Sequence, residues 1–380
     1  MAAASTTIFD RTSALARELG AINLGQGFPD LPEPAELLEA ARRALVERSN
    51  QYPPMRGLAE LRRAVAAYYA QEQGLAVAEE EVIVTSGATE ALAAAILAFV
   101  RPGDEAILFE PFYDAYLPLV ERAGGTVRTV GLVPPRWTLP LDAFEAAIGP
   151  KTRLVILNTP NNPTGTVVDR ATLEALAALC VRHDLILLCD EVWEGMIYGE
   201  RRHVSPLAVP TLRERTIKVG SAGKIFSLTG WKIGWLAASP EMATLAARAH
   251  QFLTFASAPN LQAAVAYGMA EGDAWLQPMR ERFSKARDRM ISGLETAGYA
   301  ALPSASTYFL CVDLAASGIS LDDEAFAKLA VEQAGVAVIP LSSFSGEGEM
   351  KHMIRLCFAK RDETIDAGVA ALAKAKDLAA

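Results

Sequence analysis

From residue 82 onwards the sequence alternates short apolar runs with longer segments of helical periodicity, and few folds can absorb that rhythm. The runs at 82–85, 105–110, 126–130, 153–158, 185–189 and 216–219 read as buried strands. Between most of them, residues 88–100, 113–124, 141–148 and 169–182 repeat apolar positions at helical spacing. A strand–helix succession of this kind predicts an α/β fold, with a mostly parallel central sheet flanked by helices. Such sheets carry their ligand sites at the carboxyl ends of the strands, so any chemistry is expected there.

The residues at those ends are unusual. Ser86-Gly87-Ala88-Thr89 closes the first run and opens a helix, whose free backbone N–H groups and positive dipole end suit a phosphate. Asn158 to Gly165 reads Asn-Thr-Pro-Asn-Asn-Pro-Thr-Gly, and Asp190-Glu191-Val192-Trp193 follows the fifth run. The sixth run leads into Ser221-Ala222-Gly223-Lys224, where the nearest charges to Lys224 are two further lysines, Lys218 and Lys232. A lysine held in a poor solvent has a lowered pKa and becomes a usable amine nucleophile. Each stretch also has an ordinary reading. Ser-Gly caps helices, Asn-Asn-Pro-Thr-Gly makes turns, and a lysine in a glycine-rich loop need do nothing. Four such ends directed at one crevice make a stronger case than any one of them.

The remaining sequence narrows the alternatives. Of 380 residues, 51% are hydrophobic and 21% charged, which suits a compact chain with a large core. The net charge of −9 and the lack of a basic block argue against nucleic-acid binding. The first ten residues have neither a basic start nor a long apolar core, so no signal peptide is expected. The apolar stretch 91–100 is too short to cross a membrane. Cys180, Cys189, Cys311 and Cys357 are scattered, which predicts free thiols and a cytoplasmic home. The four histidines show no metal-ligand spacing, so no metal site is expected. Gly25 and Gly27 begin a G-x-G, but Asp30 stands where a dinucleotide fingerprint needs its third glycine.

Pyridoxal 5′-phosphate is the cofactor that calls on all these parts together. Lys224 would condense with its aldehyde, and Asp190 would pair with its pyridinium nitrogen. Asn162 would donate to the ring O3′ oxygen. Gly87, Ala88, Thr89, Ser221 and Lys232 would seat the phosphate.

From about residue 8 to its C-terminus the sequence resembles the fold-type I, class I and II aminotransferases. The resemblance is carried by residues 23–30, 50–52, 87–91, 110–114, 158–165, 190–192, 221–235 and 354–358. The branch it resembles holds kynurenine/glutamine, methionine and succinyldiaminopimelate aminotransferases. The resemblance implies transfer of an amino group from an L-amino acid, methionine-like, glutamine-like or aromatic, to a 2-oxo acid. It implies that Tyr113 stacks on the cofactor ring, that Arg355 grips the substrate α-carboxylate, and that Gly27 and Phe255 line the substrate side, together with Asn162. It implies a homodimer with shared active sites, Tyr52 reaching the partner's phosphate. It also implies a large cofactor-binding domain at 39–275, and a small domain built from 1–38 and 276–380 with an N-terminal arm. One position departs from the family pattern: Trp193 stands where a tyrosine usually donates to O3′. Two other reactions use the same residues, Cβ–S cleavage by a β-lyase and transamination of succinyldiaminopimelate. Arg56, in the loop of Tyr52, is a candidate contact for an acidic side chain, or a plain surface arginine.

Overall fold

A computed structural model describes residues 8–346 and 350–379, apart from the side chain of Asp273; residues 1–7, part of the predicted N-terminal arm, lie outside that range. The chain begins with the helix Ile8–Leu19 and a short strand β1 (Ile22–Asn23). The succession predicted from residue 82 follows, as β2 (Val82–Ser86), β3 (Glu105–Glu110), β4 (Thr126–Gly131), β5 (Thr152–Asn158), β6 (Ile186–Asp190), β7 (Thr216–Ser221) and β8 (Ile233–Ala237). These seven strands form one sheet in the order β2-β8-β7-β6-β5-β3-β4. Pairings among β3 to β7 are parallel, and hydrophobic side chains of the central strands are buried on both faces.

The remaining strands, β9 (Ala300–Ala301), β10 (Phe309–Asp313), β11 (Val336–Ala337), β12 (Ile339–Pro340) and β13 (Met353–Cys357), belong to the C-terminal third. Four of them make a second sheet in the order β12-β13-β10-β9, and β11 pairs in parallel with β1. The antiparallel β10–β13 ladder places Arg355 opposite Cys311.

Several expectations needed correction. β8, which is not among the apolar runs above, lies antiparallel between β2 and β7. Its Ile-Gly-Trp-Leu-Ala sequence carries an internal glycine, which depresses strand character in isolation. β4 is an edge strand with mostly exposed side chains, not a buried one, so its Thr-Val-Arg-Thr-Val pattern is solvated. The helix expected from residue 113 starts at Tyr116, because Tyr113 and Asp114 stay in the turn that leaves β3. In the C-terminal third, the helix before β11 is α-helical from Asp323 to Leu329 and finishes in a π-type turn, Ala330–Ala334.

Where β6 ends, neighbouring carboxylates go to opposite sides: Asp190, its last residue, faces the crevice, and Glu191, directly after it, faces away. Behind the sheet Glu191 meets the Lys218 ammonium, the His203 ring and the Ser205 hydroxyl, the last at 2.9 Å. Lys218 also lies 2.6 Å from Glu194, and all three of these charged groups are fully buried. Burial alone would push Lys218 down and Glu191 up. Their mutual attraction wins, leaving Lys218 above its ordinary pKa and Glu191 below. Lys218→Met would strand two carboxylates without their cation, at a cost of about 3–5 kcal/mol. A urea midpoint unchanged in that variant would show that the cluster contributes nothing, whereas we expect a large fall that shrinks at lower pH as the carboxylates protonate.

Candidate active site

The carboxyl ends of β2, β5, β6 and β7 open into one cavity of about 430 Å³. Gly27, Gly87, Ala88, Thr89, Tyr113, Asn162, Asp190, Trp193, Ser221, Lys224, Lys232 and Arg355 all line it. Tyr52 and Phe255 do not. They pack edge to face on the surface with ring centroids 5.6 Å apart, and Tyr52 is 86% exposed.

One end of the cavity is a helix start. The helix Gly87–Phe99 begins directly after β2, with Gly87 at φ +75°, a conformation glycine adopts without strain. A Cβ at Gly87 would sit 3.2 Å from the Lys232 ammonium, so the amine lies against the first turn. The antiparallel β8 explains the arrangement. It starts immediately after Lys232 and pairs Ile233 with Ser86 and Gly234 with Ser221, gathering the ends of β2 and β7 around one point. Gly234 is required there, since a Cβ would fall 2.6 Å from the Ala88 nitrogen. Glu90 accepts from the Ser86 N–H at 2.6 Å and meets the buried His250 ring, also at 2.6 Å. Burial works against the His250 cation, but the Glu90 hydrogen bond and charge hold its pKa above the usual value.

The middle of the cavity holds the titrating pair. Lys224 sits in a single helical turn, Ala222–Ile225, that follows β7 directly. Its residue is only partly buried because it borders the cavity, yet desolvation, with Arg355 adding to it, brings the amine down to about 8. Asp190 is 4% exposed, and burial lifts its carboxyl to about 6 against the pull of the Tyr116 hydroxyl, the Val192 N–H and Lys224. Tyr116 donates to Asp190 Oδ2 at 2.6 Å, and Asn158 Nδ2 donates to the Asp190 carbonyl at 2.8 Å. Trp193 packs edge-on against Tyr308 and Phe309, and its ring stands 4.7 Å from the Lys224 amine.

Arg355 closes the other end and is 2% exposed. It donates to Asn162 Oδ1 at 2.9 Å and to the Gly25 carbonyl at 2.7 Å, and stacks 4.0 Å over the Phe309 ring. Its Nε is buried with no partner among the described residues. Burial lowers its pKa to about 10, which still leaves it charged near neutrality. Gly27 allows the Phe309 ring to approach, since a Cβ there would lie 2.6 Å from Phe309 Cζ. Arg56 does not line this cavity; its guanidinium donates to the Glu80 carbonyl and to Thr244 Oγ1 of its own chain.

The sequence profile of aminotransferase class I and II matches residues 20–372. The chain belongs to that family. It is 42% identical to a "probable N-succinyldiaminopimelate aminotransferase" of Mycobacterium tuberculosis, over 96% of this chain and 95% of that protein. It is 41% identical to a methionine aminotransferase of Escherichia coli, over 95% and 93% of the two chains. A solved Escherichia coli structure described as having a methionine aminotransferase function superposes with a TM-score of 0.94 at 39% identity, covering 98% of both chains. The protein is therefore an aminotransferase of the fold-type I architecture, and its cofactor is pyridoxal 5′-phosphate.

The cavity fits that group. It offers a buried amine, a buried carboxylate, a helix start faced by an ammonium, and a guanidinium with an unsatisfied N–H. Sequence reading assigned no part to Tyr116, Asn158 or Tyr308. Tyr116 lies 74 residues from the carboxylate it touches, so no local pattern could have marked it.

The position of Lys224 has a direct pH consequence. Below about pH 8 its amine is protonated and unreactive, so condensation of apoenzyme with an aldehyde should rise through that pH and level off above it. A midpoint near the ordinary lysine value, read from the rate of cofactor uptake against pH, would contradict the burial seen here.

Proposed function

We propose that this aminotransferase moves the amino group of an L-amino acid with a neutral side chain, methionine-like, glutamine-like or aromatic, to a 2-oxo acid, with Lys224 as the cofactor-linked lysine. The observation that carries this reading is the buried Lys224 amine, set between the Asp190 carboxylate and the Arg355 guanidinium in one cavity. When bound, pyridoxal phosphate supplies an aldehyde for amines to join and a protonated ring that draws electrons from the substrate Cα.

The chain's own groups do the rest. Asp190 holds the proton on the ring nitrogen, and the Tyr116 hydroxyl keeps that carboxylate aimed. Asn162 has its Oδ1 engaged by Arg355, which leaves Nδ2 to donate to the ring oxygen. Trp193 lies beside Lys224 in place of the usual tyrosine and shields the amine from water. Tyr113, hydrogen-bonded to Thr89, offers its ring for stacking. Gly87, Ala88 and Thr89 present helix-start amides to the phosphate, with Ser221 and Lys232 beside them. Arg355 receives the substrate α-carboxylate through its unpaired Nε–H and the remaining N–H groups of its fork. Gly27 lets the substrate pass close to the backbone. Once freed, the Lys224 amine takes the Cα proton and later returns it, a role suited to a base poised near neutrality.

We further infer a homodimer with shared sites. The exposed aromatic group Tyr52, Phe252 and Phe255 supports it, with Tyr52 of the partner subunit meeting the phosphate and Phe255 facing the substrate side. A division into a large domain at 39–275 and a small one from 1–38 and 276–380 is supported by the pairing of β1 with β11. The four buried free thiols favour a cytoplasmic location. No helix among the described residues is long and apolar enough to cross a membrane.

A second reading, transamination of an N-succinylated diamino diacid, is favoured by the 42% identity to the Mycobacterium tuberculosis relative. For the assignment of the lysine, Lys224→Ala is expected to abolish amino-group transfer along with the visible absorption the cofactor acquires on joining the lysine. A variant that keeps both would sink it. The solution mass should be twice the 40.6 kDa of one chain.

A further inference from the structure

His250 takes no part in the function proposed above, yet its ring is wholly buried against the helix start that borders the cavity. It projects from the helix Pro240–Leu253, with Nδ1 2.6 Å from Glu90 Oε1 and Nε2 2.9 Å from the Met55 carbonyl. A carboxylate and a carbonyl both accept, so each ring nitrogen has to supply a proton. The proton shared with Glu90 resides on the imidazole, the more basic of the two groups. The geometry therefore requires an imidazolium. Burial opposes that charge, but the bond to Glu90 and its negative charge prevail, and the pKa of His250 lies above its ordinary value. Arg56, next to Met55, turns its guanidinium away to the Glu80 carbonyl and Thr244.

Glu90 is the group through which this cation acts. It stands in the first turn of the helix Gly87–Phe99, and the three residues before it, Gly87, Ala88 and Thr89, line the cavity. Its second oxygen accepts the Ser86 N–H at 2.6 Å, which fastens the point where β2 turns into the helix. A bare carboxylate there would share the positive end of the helix with a phosphate, and two anions at one helix start repel. Glu90 is buried, so water screens little of that repulsion. His250 removes the conflict while leaving the bond to Ser86 in place. It also reaches the surface aromatic pair: its ring holds the carbonyl of Met55 in the Tyr52 loop, and its own carbonyl accepts the Phe255 N–H at 3.3 Å.

We propose that His250 is a positioning residue for the cofactor phosphate: its buried imidazolium fixes and neutralises Glu90, so that the helix start meets the phosphate without a competing negative charge. The proposal rests on the reading of the cavity as a pyridoxal phosphate site. It assigns His250 an effect on the phosphate alone, exerted through Glu90 and not through the ring or aldehyde of the cofactor.

Pyridoxal has the same ring and aldehyde as pyridoxal phosphate and lacks the phosphate, which makes the effect separable. The full-length enzyme is loaded with one or the other, and the loss of each on dilution is read from its absorbance. In His250→Gln, pyridoxal phosphate should leave faster by about tenfold or more, because a buried carboxylate has lost its cation, while pyridoxal changes by less than about threefold. Combining His250→Gln with Glu90→Gln rebuilds every bond in neutral form. One amide accepts from Ser86 and donates to the other, which donates to Met55. In that double variant the loss of pyridoxal phosphate should return to within about threefold of the wild-type rate. An equal effect on both compounds, or no rescue by Glu90→Gln, shows a role in packing and overturns the proposal. Should His250→Gln fail to fold, the wild-type holoenzyme decides. Nitrogen NMR of its four histidines is expected to show the His250 ring doubly protonated near neutral pH, and a neutral ring overturns the proposal. A wild-type enzyme that retains neither compound overturns the reading of the cavity, and this proposal with it.

Discussion

Everything at the reacting end of this molecule depends on one close backbone contact, the passage of Gly234 against Ala88. β8 runs antiparallel between β2 and β7, and only a residue without a side chain lets it touch the first turn of the helix Gly87–Phe99. That contact brings together three groups from separate parts of the chain: the helix-start amides, the Ser221 hydroxyl and the Lys232 ammonium. It also fixes the exit of β7, and with it the single turn that carries Lys224. Lys232 itself has φ +54°, an uncommon conformation for a residue with a side chain, held by the strand that follows it. The helix start, the Lys232 ammonium and the Lys224 amine thus share one frame, set by the strands on either side.

A second constraint works on the charges. Burying a carboxylate costs several kcal/mol unless something compensates it, and two are buried in succession where β6 ends, Asp190 and Glu191. Their compensation differs with their purpose. Glu191, behind the sheet, is saturated by Lys218, His203 and Ser205, and stays ionised as structure. Asp190, facing the cavity, receives one hydroxyl, one N–H and a distant amine, and its pKa stays elevated near 6. The incomplete compensation leaves Asp190 able to take a further cation, and in the proposed function a protonated pyridine would supply it. The same contrast holds for the lysines. Lys218 is pinned by two carboxylates and raised, whereas Lys224 bonds no carboxylate among the described residues and is lowered to about 8.

Much of this was legible beforehand, for identifiable reasons. Parallel strands buried on both faces must be apolar runs, so most of the sheet shows in sequence, and the polar residues that interrupt it at strand ends mark the crevice. Asn162, Asp190, Ser221 and Lys224 stand at such ends, and all four line the cavity. What stayed hidden was either glycine-bearing or long-range. β8 was lost because Gly234, needed for the close contact, looks like a loop residue in isolation. Tyr116 meets Asp190 and Arg355 meets Asn162 across 74 and 193 residues, and no spacing encodes either pair. The start of the helix after β3 was misplaced because Tyr113 and Asp114 satisfy helical periodicity while serving the cavity.

Trp193 shows how one departure from a family pattern can be absorbed by its surroundings. A tyrosine at this position would bring a hydroxyl and an acidic proton into the cavity; the indole brings a larger ring and no ionisable group. Room for that ring is found by packing it edge-on to Tyr308, with centroids 4.4 Å apart, and to Phe309. Tyr308 is fixed in turn by its bond to the Gly27 carbonyl at 2.8 Å, and Phe309 by the guanidinium of Arg355 stacked above it. The indole therefore ties the Lys224 end of the cavity to the Arg355 end through a continuous aromatic layer. The ring near Lys224 attracts the ammonium, while the water it excludes disfavours the charge. Burial prevails, because a ring face returns about 0.5–2 kcal/mol against a desolvation cost of several. Burial, with the Arg355 charge beside it, thus brings the amine down to about 8 without an ionisable neighbour at position 193.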